Sequence, residues 1–586
     1  MSSVKDGSEE QFNLDGILAE LGSFGKYQLL LLLLLGFRDA FLLMCNLNYI
    51  FVVDSVGFRC KVPECEGPDS SYNASWMEFA LNATSVCLRT EPKTPYSDIG
   101  VASNATCTAD NFIHGQTIPC DEIVYENYNS PVAEFDLGCQ PWKAPLIGTS
   151  HNLGLVFSSV FYGLMSDRYG RKVIIVLTPL AVGVVGLLKS FSINYWMLLI
   201  LEFIEAALGY GNASLVLSLE TVSQQNRVIF TCIGDSLANF GGAFFGLIAW
   251  KFPYWRHTIR AIYSPLLVVV FYIFLVDEGV RWLFAHNKHD EAVRVLNKVA
   301  KVNNIKFSNK AKEMLVKVSE EKHRVDEKFQ PQRPAHESPV LLTALRSRKI
   351  IFRVAVISAG FFCSMFVYNG TTVNITRILG NKYWNYSAMS LLAIPTRIVI
   401  AITLTKFGRR APICIAYCMC ALCLISSAFL SHTVSWWVSV VLYLSGIVCS
   451  TYALFSMTVL AMELFPTTSR NSLTNIAQTF GRLGGVLAPQ TPLLERYMHG
   501  LPSISFGLAA LGSAALATLL PDTSRAALPD NVVDAEHIDD QTPDQSTNKN
   551  DGETRIDVSN KPIWTTSLDL RTESRQSELS DVGCVP

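Results

Sequence analysis

Roughly a dozen apolar stretches of about 20 residues, each long enough to cross a bilayer, dominate this chain. The first, Tyr27 to Val53, carries a run of Leu from Leu29 to Leu35. Others read Val173–Phe191, Tyr195–Leu219, Val228–Trp250, Ala261–Val276, Ile350–Tyr368, Tyr386–Leu404 and Ala411–Leu430. Such segments cannot sit in water, and in lipid a helix satisfies its own backbone hydrogen bonds. Of the 586 residues 49% are hydrophobic and only 17% charged, where a soluble chain carries about a quarter charged. A net charge of −2 gives no reason to expect a nucleic-acid partner. Residues 1–26 are polar and the first apolar segment is too long for a cleavable signal peptide, so none is expected.

The cysteines fall into two populations. Cys60, Cys65, Cys87, Cys107, Cys120 and Cys139 lie between the first and second spans, beside sequons at Asn73, Asn82 and Asn104. An even cysteine count next to three glycosylation acceptors argues for an oxidising, extracellular region held by disulfides. Six cysteines admit many connectivities, and the spacing does not choose among them. Cys414, Cys418, Cys420 and Cys423 lie on apolar segments and read as small packing residues. If the insert is outside, the N-terminus is inside, and an even number of spans returns the C-terminus inside. Arg168, Arg171, Lys172, Lys406, Arg409 and Arg410 fall in inner loops, but Lys251, Arg256 and Arg260 fall in an outer one, against the positive-inside rule. Orientation therefore rests on the sequons and cysteines.

Internal repetition decides the architecture. Gly163-Leu-Met-Ser-Asp167-Arg168-Tyr-Gly170-Arg171-Lys172 follows the second span, and Lys406-Phe-Gly408-Arg409-Arg410 follows the eighth, with the glycines 238 residues apart. Glu220 and Arg227 after the fourth span return as Glu463 and Arg470 after the tenth, both 243 residues later. Two motifs repeating at nearly one period in matching loops indicate six-plus-six helices facing each other across a central path.

These residues resemble the major facilitator superfamily, whose Asp-Arg-x-Gly-Arg-Lys loop marks each half. More narrowly they resemble the organic cation, anion and zwitterion (carnitine) transporter family of solute carriers. The signs are Phe12-Asn-Leu-Asp-Gly-Ile-Leu, the cysteine-bearing first loop, Glu278-Gly-Val-Arg281-Trp282-Leu283, Glu463-Leu-Phe-Pro466-Thr467, Arg482-Leu-Gly484-Gly485, and Leu519-Leu-Pro521-Asp522-Thr523 with Leu528-Pro529. The resemblance implies an all-α membrane protein with twelve transmembrane helices in two pseudo-symmetric six-helix bundles, a large extracellular loop after the first helix, and alternating access. It implies a plasma-membrane location with both termini cytoplasmic. The chain departs from the family at Thr405-Lys406 (for Asp-Arg), at Glu202 (for Arg), at Leu473 and Asn475 (for Gly-x-Gly) and at Leu460 (for Tyr).

On this reading residues 1–26 form the cytoplasmic N-terminus, 27–53 the first span, 54–143 the extracellular loop and 144–276 spans two to six. Residues 277–349 form a cytoplasmic loop, 350–520 spans seven to twelve and 521–586 a polar, disordered tail. Ala292, Val295, Leu296, Val299 and Val302 fall at helical spacing in the cytoplasmic loop and predict an amphipathic helix.

Charges at membrane depth must be explained. An Arg near a helix centre costs roughly 2.5–3.5 kcal/mol to insert, and it persists when paired or facing water. Arg397 in Ala393-Ile-Pro395-Thr-Arg397 and Arg482 in the eleventh span both lie near mid-membrane. One reading has their planar guanidiniums attract an anionic group into the cavity; the other has each paired with Asp235, Glu202 or Glu205. Resemblance favours anions, since the anion branch carries a base at both positions and Ala393 replaces a frequent Glu. Asp235 can neutralise an Arg or bind a cation. Arg38 and Asp39 read as a self-neutralising pair, and His151 and Asn152 as packing or vestibule residues. Phe361, Phe362, Phe366 and Tyr368 resemble the family's aromatic wall, followed by Asn369-Gly370, which can unwind a helix end. Tyr368, Phe366, Asn369 and Gln478 complete the candidate substrate site.

The loop motifs have a different expected role. Asp167, Arg168, Gly170, Arg171, Glu220 and Arg227 in one half, and Gly408, Arg409, Glu463 and Arg470 in the other, resemble the clamps that lock one state of the cycle. No Gly-x-x-x-x-Gly-Lys-Ser/Thr loop is present to hold a nucleotide and no His-Glu-x-x-His lies at membrane depth, which disfavours a pump and an enzyme; no cofactor or metal is expected. The expected partners are a small organic ion, the lipid bilayer and a second copy through the extracellular loop. The leading reading is an organic anion or zwitterion transporter; a cation or carnitine-like transporter and a non-transporting sensor are the alternatives.

Overall fold

The computed structural model describes residues 14–22, 24–53, 56–66, 70–81, 86–93, 107–209, 213–222, 226–308, 346–430, 436–466, 470–498, 500–523, 529 and 535–536. Ten helices among them are long and apolar enough to cross a membrane: Lys26–Val52, Arg171–Lys189, Tyr195–Glu220, Ile229–Lys251, Trp255–Leu275, Arg348–Arg377, Lys382–Leu404, Arg410–Leu430, Trp436–Leu464 and Leu501–Thr518. Two more, Lys143–Tyr169 and Arg470–Leu487 with a 3-10 continuation Ala488–Arg496, take the second and eleventh places. These two are less apolar for a physical reason. They pack against each other where the two halves meet, so residues such as Asn152 and Gln478 replace the aliphatic side chains that lipid would demand. The fifth and eighth spans form the other junction between halves.

The halves are fastened at the end that carries the insert. Phe51 of the first span stacks on Tyr383 at 5.5 Å between ring centroids, and meets Tyr386 edge-on at 5.0 Å. Ser387 Oγ donates to the Ala243 carbonyl at 2.9 Å, and Gln490 Nε2 to Thr149 Oγ1 at 2.8 Å. The eighth helix begins at a real cap, the Asn381 side chain accepting from the N–H of Tyr383 at 3.0 Å. The seventh helix does not unwind at Asn369-Gly370, contrary to expectation: it runs on to Val373, with Asn369 Nδ2 donating to the Met365 carbonyl one turn back at 2.9 Å.

The insert adds strands to an otherwise helical chain. Strand β1 (Phe58–Cys60) pairs antiparallel with β4 (Ile123–Tyr125), and β2 (Leu88–Pro92) with β3 (Phe112–Pro119). Disulfides Cys60–Cys120, Cys65–Cys107 and Cys87–Cys139 make the connectivity that spacing left open. Asn73 is exposed, while Asn82 and Asn104 lie outside the described residues. The insert is tied down through Glu134, whose carboxylate accepts from Trp255 Nε1 at 2.7 Å and Arg256 Nε at 3.1 Å. Burial works against its ionisation, yet these donors hold the carboxyl below the usual carboxylate range. This contact gives Arg256, one of the basic residues that the sequence places against the positive-inside rule, a local carboxylate partner. Arg256 also donates to Ser190 O at 2.6 Å, and Arg260 Nε to Ser190 Oγ at 3.2 Å, so both are held by the insert end.

At the opposite end the amphipathic stripe forms helix His289–Asn303, with Ala292, Leu296 and Val299 buried against Ile17 and Leu21, while Val302 faces out. Asn303 accepts from the Tyr27 N–H at 2.9 Å and so seats this helix beneath the first span. The chain just after the twelfth span is also held: Ala535 is buried, and its carbonyl accepts from Arg353.

Candidate functional site

Arg397 on the eighth span and Arg482 on the eleventh, both in the C-terminal half, sit in different electrostatic settings. Arg397 Nη2 lies 3.9 Å from Asp235 Oδ2 of the fifth span, and its Cζ is 3.1 Å from the Phe455 ring centroid. The carboxylate, 41% exposed, faces water more than the 15% exposed guanidinium. Arg397 Nε is buried with no hydrogen-bond partner. The long ion pair is thus a loose neutraliser that crosses between the halves, and part of the guanidinium's donor capacity is unused. Tyr368 is within electrostatic reach of Arg397.

Arg482, on the eleventh helix Arg470–Leu487, is half-buried and makes no hydrogen bond or ion pair among the described residues. Gln478 lies one turn before it on the same face. Gly484 and Gly485 explain how the eleventh helix comes so near the seventh. A Cβ on Gly484 would meet the Phe362 carbonyl, and one on Gly485 would lie 3.1 Å from Asn369 Nδ2 and 3.4 Å from Asn152 Oδ1. Asn369, Asn152 and Gly485 therefore converge where the two halves touch. Phe361 is fully buried and Phe366 packs edge-on against Phe506 of the twelfth span at 5.4 Å. Of the aromatic wall, Tyr368 is the member turned toward Arg397.

The loop motifs form two equivalent clusters. Gly170 adopts φ +102°, and a side chain there would collide with the Glu278 carboxylate. That carboxylate accepts from the N–H groups of Arg171 at 2.7 Å and Lys172 at 3.1 Å, capping the third helix at its positive end. Arg171 Nε reaches Glu220 at 3.3 Å. In the other half Gly408 has φ +84°, Asp522 accepts from the Arg409 N–H at 3.3 Å, and Arg409 Nε reaches Glu463 at 3.0 Å. The acids after the sixth and twelfth spans thus play one role twice, which sequence reading missed; their nearly equal spacing to the repeated motifs was the available signal. One expectation changes. Glu463 binds Arg409 and Thr523, whereas Arg470 donates to the Phe465 carbonyl at 3.3 Å, so Glu463 and Arg470 do not form the clamp. Arg168 lies over the Tyr169 ring at 5.5 Å. Arg227 starts the fifth helix, and the Asp167 side chain lies outside the described residues. Gly170→Ala is expected to cost about 1–3 kcal/mol through the left-handed backbone and to dislodge Glu278, read as lower surface abundance and slower uptake than wild type.

Glu202 and Glu205 do not serve either arginine. They surround Lys189 of the third span, which sequence reading passed over because it ends an apolar run: Nζ is 2.7 Å from Glu202 Oε2 and 3.0 Å from the Tyr263 hydroxyl. His151 is buried and meets Glu202 at 3.0 Å. Arg38 is buried, donating to Asp39, to Thr178 Oγ1 at 2.9 Å and to the Ile175 carbonyl at 3.2 Å.

A family model of the Major Facilitator Superfamily matches residues 108–489, and the chain belongs to that superfamily. At full length its relatives are solute carriers. Bovine solute carrier family 22 member 1 is 27% identical over 546 residues, covering 90% of this chain and 93% of the relative. The organic cation transporter protein of Drosophila melanogaster is 26% identical over 550 residues, covering 92% and 97%. Rat solute carrier family 22 member 7 is 26% identical over 544 residues, covering 90% and 99%. Among solved structures the partially occluded, inward-open form of the xylose transporter XylE from E. coli matches with TM-score 0.52 and 16% identity, over 86% of this chain and all of that one, which shows the fold. The chain is a multi-pass membrane transporter of the twelve-helix kind that its motifs imply.

Proposed function

We propose that the chain carries small organic anions or zwitterions across the plasma membrane by alternating access, with both termini cytoplasmic. Arg482 binds the anionic group. Arg397, Tyr368, Asn369 and Gln478 line its surroundings, and Asp235 modulates Arg397. The observation that carries this reading is the guanidinium of Arg482, which has no partner among the described residues, beside the junction of the halves. A charge held at that depth with no protein partner is stabilised by water or by a ligand, and a carboxylate matches its planar fork. The Gly170 and Gly408 clusters gate the opposite end, and nothing in this arrangement calls for catalysis. The exposed Asn73 suits a glycosylated outer face, which can also meet a second copy.

The second reading is cation transport. It is favoured by Asp235 and by Asp39, whose carboxylate is 32% exposed, and by the Drosophila relative named as an organic cation transporter protein. Uptake by cells expressing the chain separates the two. A labelled dicarboxylate, carnitine and a quaternary amine are compared at equal concentration, with and without an opposing gradient. Saturable, trans-accelerated anion uptake is expected; quaternary amine uptake alone moves the assignment to cations, and no uptake of any of the three leaves a sensor.

A further inference from the structure

Four ionisable side chains are packed together inside the N-terminal bundle: His151 of the second span, Lys189 of the third, and Glu202 and Glu205 of the fourth, none more than 1% exposed. Lys189 donates to both carboxylates. Asn48 Nδ2 donates to Glu202 Oε1 at 3.0 Å, while its own Oδ1 is buried without a partner. Two carboxylates against one ammonium leave a negative charge in a buried core, which costs several kcal/mol unless it is balanced. The imidazole geometry supplies the balance. His151 Nδ1 lies 3.0 Å from Glu202 Oε1, and Nε2 lies 3.1 Å from Asn46 Oδ1. Both ring nitrogens therefore lie beside oxygens, and a doubly protonated ring has a hydrogen for each. With that proton the cluster is neutral.

We propose that this cluster is a proton-binding site, that His151 carries the proton, and that closing the two halves at the insert end takes it up. The proposal rests on the transporter reading above and adds its coupling chemistry. The proton arrives on hydronium from the aqueous side: one O–H bond of the hydronium breaks, leaving water, as the N–H bond forms on the imidazole lone pair. Its way in is past Tyr49. The Tyr49 ring is 5.4 Å from the His151 ring, and its hydroxyl accepts from Asn152 Nδ2 at 3.3 Å. Tyr49 and Gly148 also line a narrow space between the halves, walled on the other side by Val373, Arg377 and Pro489. Parting the halves there brings water to Tyr49 and then to the imidazole. Once the proton leaves, the excess carboxylate charge favours the hydrated, open arrangement. The titratable groups facing the cluster from neighbouring spans are Cys45 and Tyr49 of the first, Tyr263 of the sixth and, beyond Tyr49, Tyr368 of the seventh. A metal ion is disfavoured because the Lys189 ammonium already sits between the two carboxylates.

The test uses the full-length protein and two readouts. Uptake of whichever substrate the panel finds is expected to rise as external pH falls, by at most about tenfold per unit, the limit for one proton. Glu205→Gln leaves Lys189 balanced by Glu202 without the imidazole proton, so its uptake profile should be flat. His151→Gln alone strands the negative charge and should lose surface protein; His151→Gln with Glu205→Gln should regain it, again with a flat profile. In purified protein the wild-type Tm should fall as pH rises, and the Glu205→Gln Tm should not. The same pH slope in wild type and Glu205→Gln, or no rescue in the double variant, overturns the proton site. A pH-linked Tm with no uptake of any substrate overturns the transporter reading and leaves the proton site standing.

Discussion

Arg482→Ala is expected to lower organic-anion uptake by about 10- to 150-fold, with surface abundance close to wild type. The size follows from the interaction removed. A charge-assisted hydrogen-bonded pair with a carboxylate is worth about 1.5–3 kcal/mol, and each 1.4 kcal/mol is tenfold in binding. Abundance should hold because Arg482 has no protein partner to abandon among the described residues. Arg482→Lys should recover part of the loss, since a point charge stays but the bidentate fork goes. Arg482→Asp should abolish anion uptake and admit a quaternary amine. Dose–response uptake normalised to surface protein measures all three; anion uptake unchanged in Arg482→Ala would remove the electrostatic assignment.

Lys189→Met should have the larger effect on the protein itself. It leaves Glu202 and Glu205 facing each other inside the bundle with one imidazole between them. Removing one partner of a buried ion pair typically costs 3–5 kcal/mol, a large share of the roughly 5–15 kcal/mol that separates folded from unfolded states. The expected result is near-complete loss of surface protein. Lys189→Met with Glu205→Gln should restore much of it, because one carboxylate then faces one imidazolium. Surface biotinylation of the two variants reads this directly. Equal abundance of Lys189→Met and wild type would show that the ammonium is not what balances the carboxylates.

Much of the architecture was legible before any fold was seen, because membrane insertion is a local rule. Each span is recognised from its own 20 or so residues, and the two least apolar helices were still placed by the order of motifs around them. The repeated Gly170 and Gly408 loops were legible for a similar reason: a left-handed glycine beside a helix start leaves its mark within a few residues. Partner choice was not legible. Glu463 takes Arg409 and Thr523 instead of Arg470, and Phe366 packs on Phe506, because both depend on how helices rotate about their axes. That rotation is set by close contacts such as Gly484 against the seventh helix, and hydropathy does not record it.

From sequence alone came twelve membrane helices in two repeated halves, a cystine-bearing insert and two deep arginines, since length, apolarity and spacing each act along the chain. Tertiary structure alone decided which arginine is neutralised, which cysteines pair, and that Lys189, His151, Glu202 and Glu205 are buried together. Those outcomes join residues far apart in sequence, and the energy of a buried charge depends on the groups brought around it.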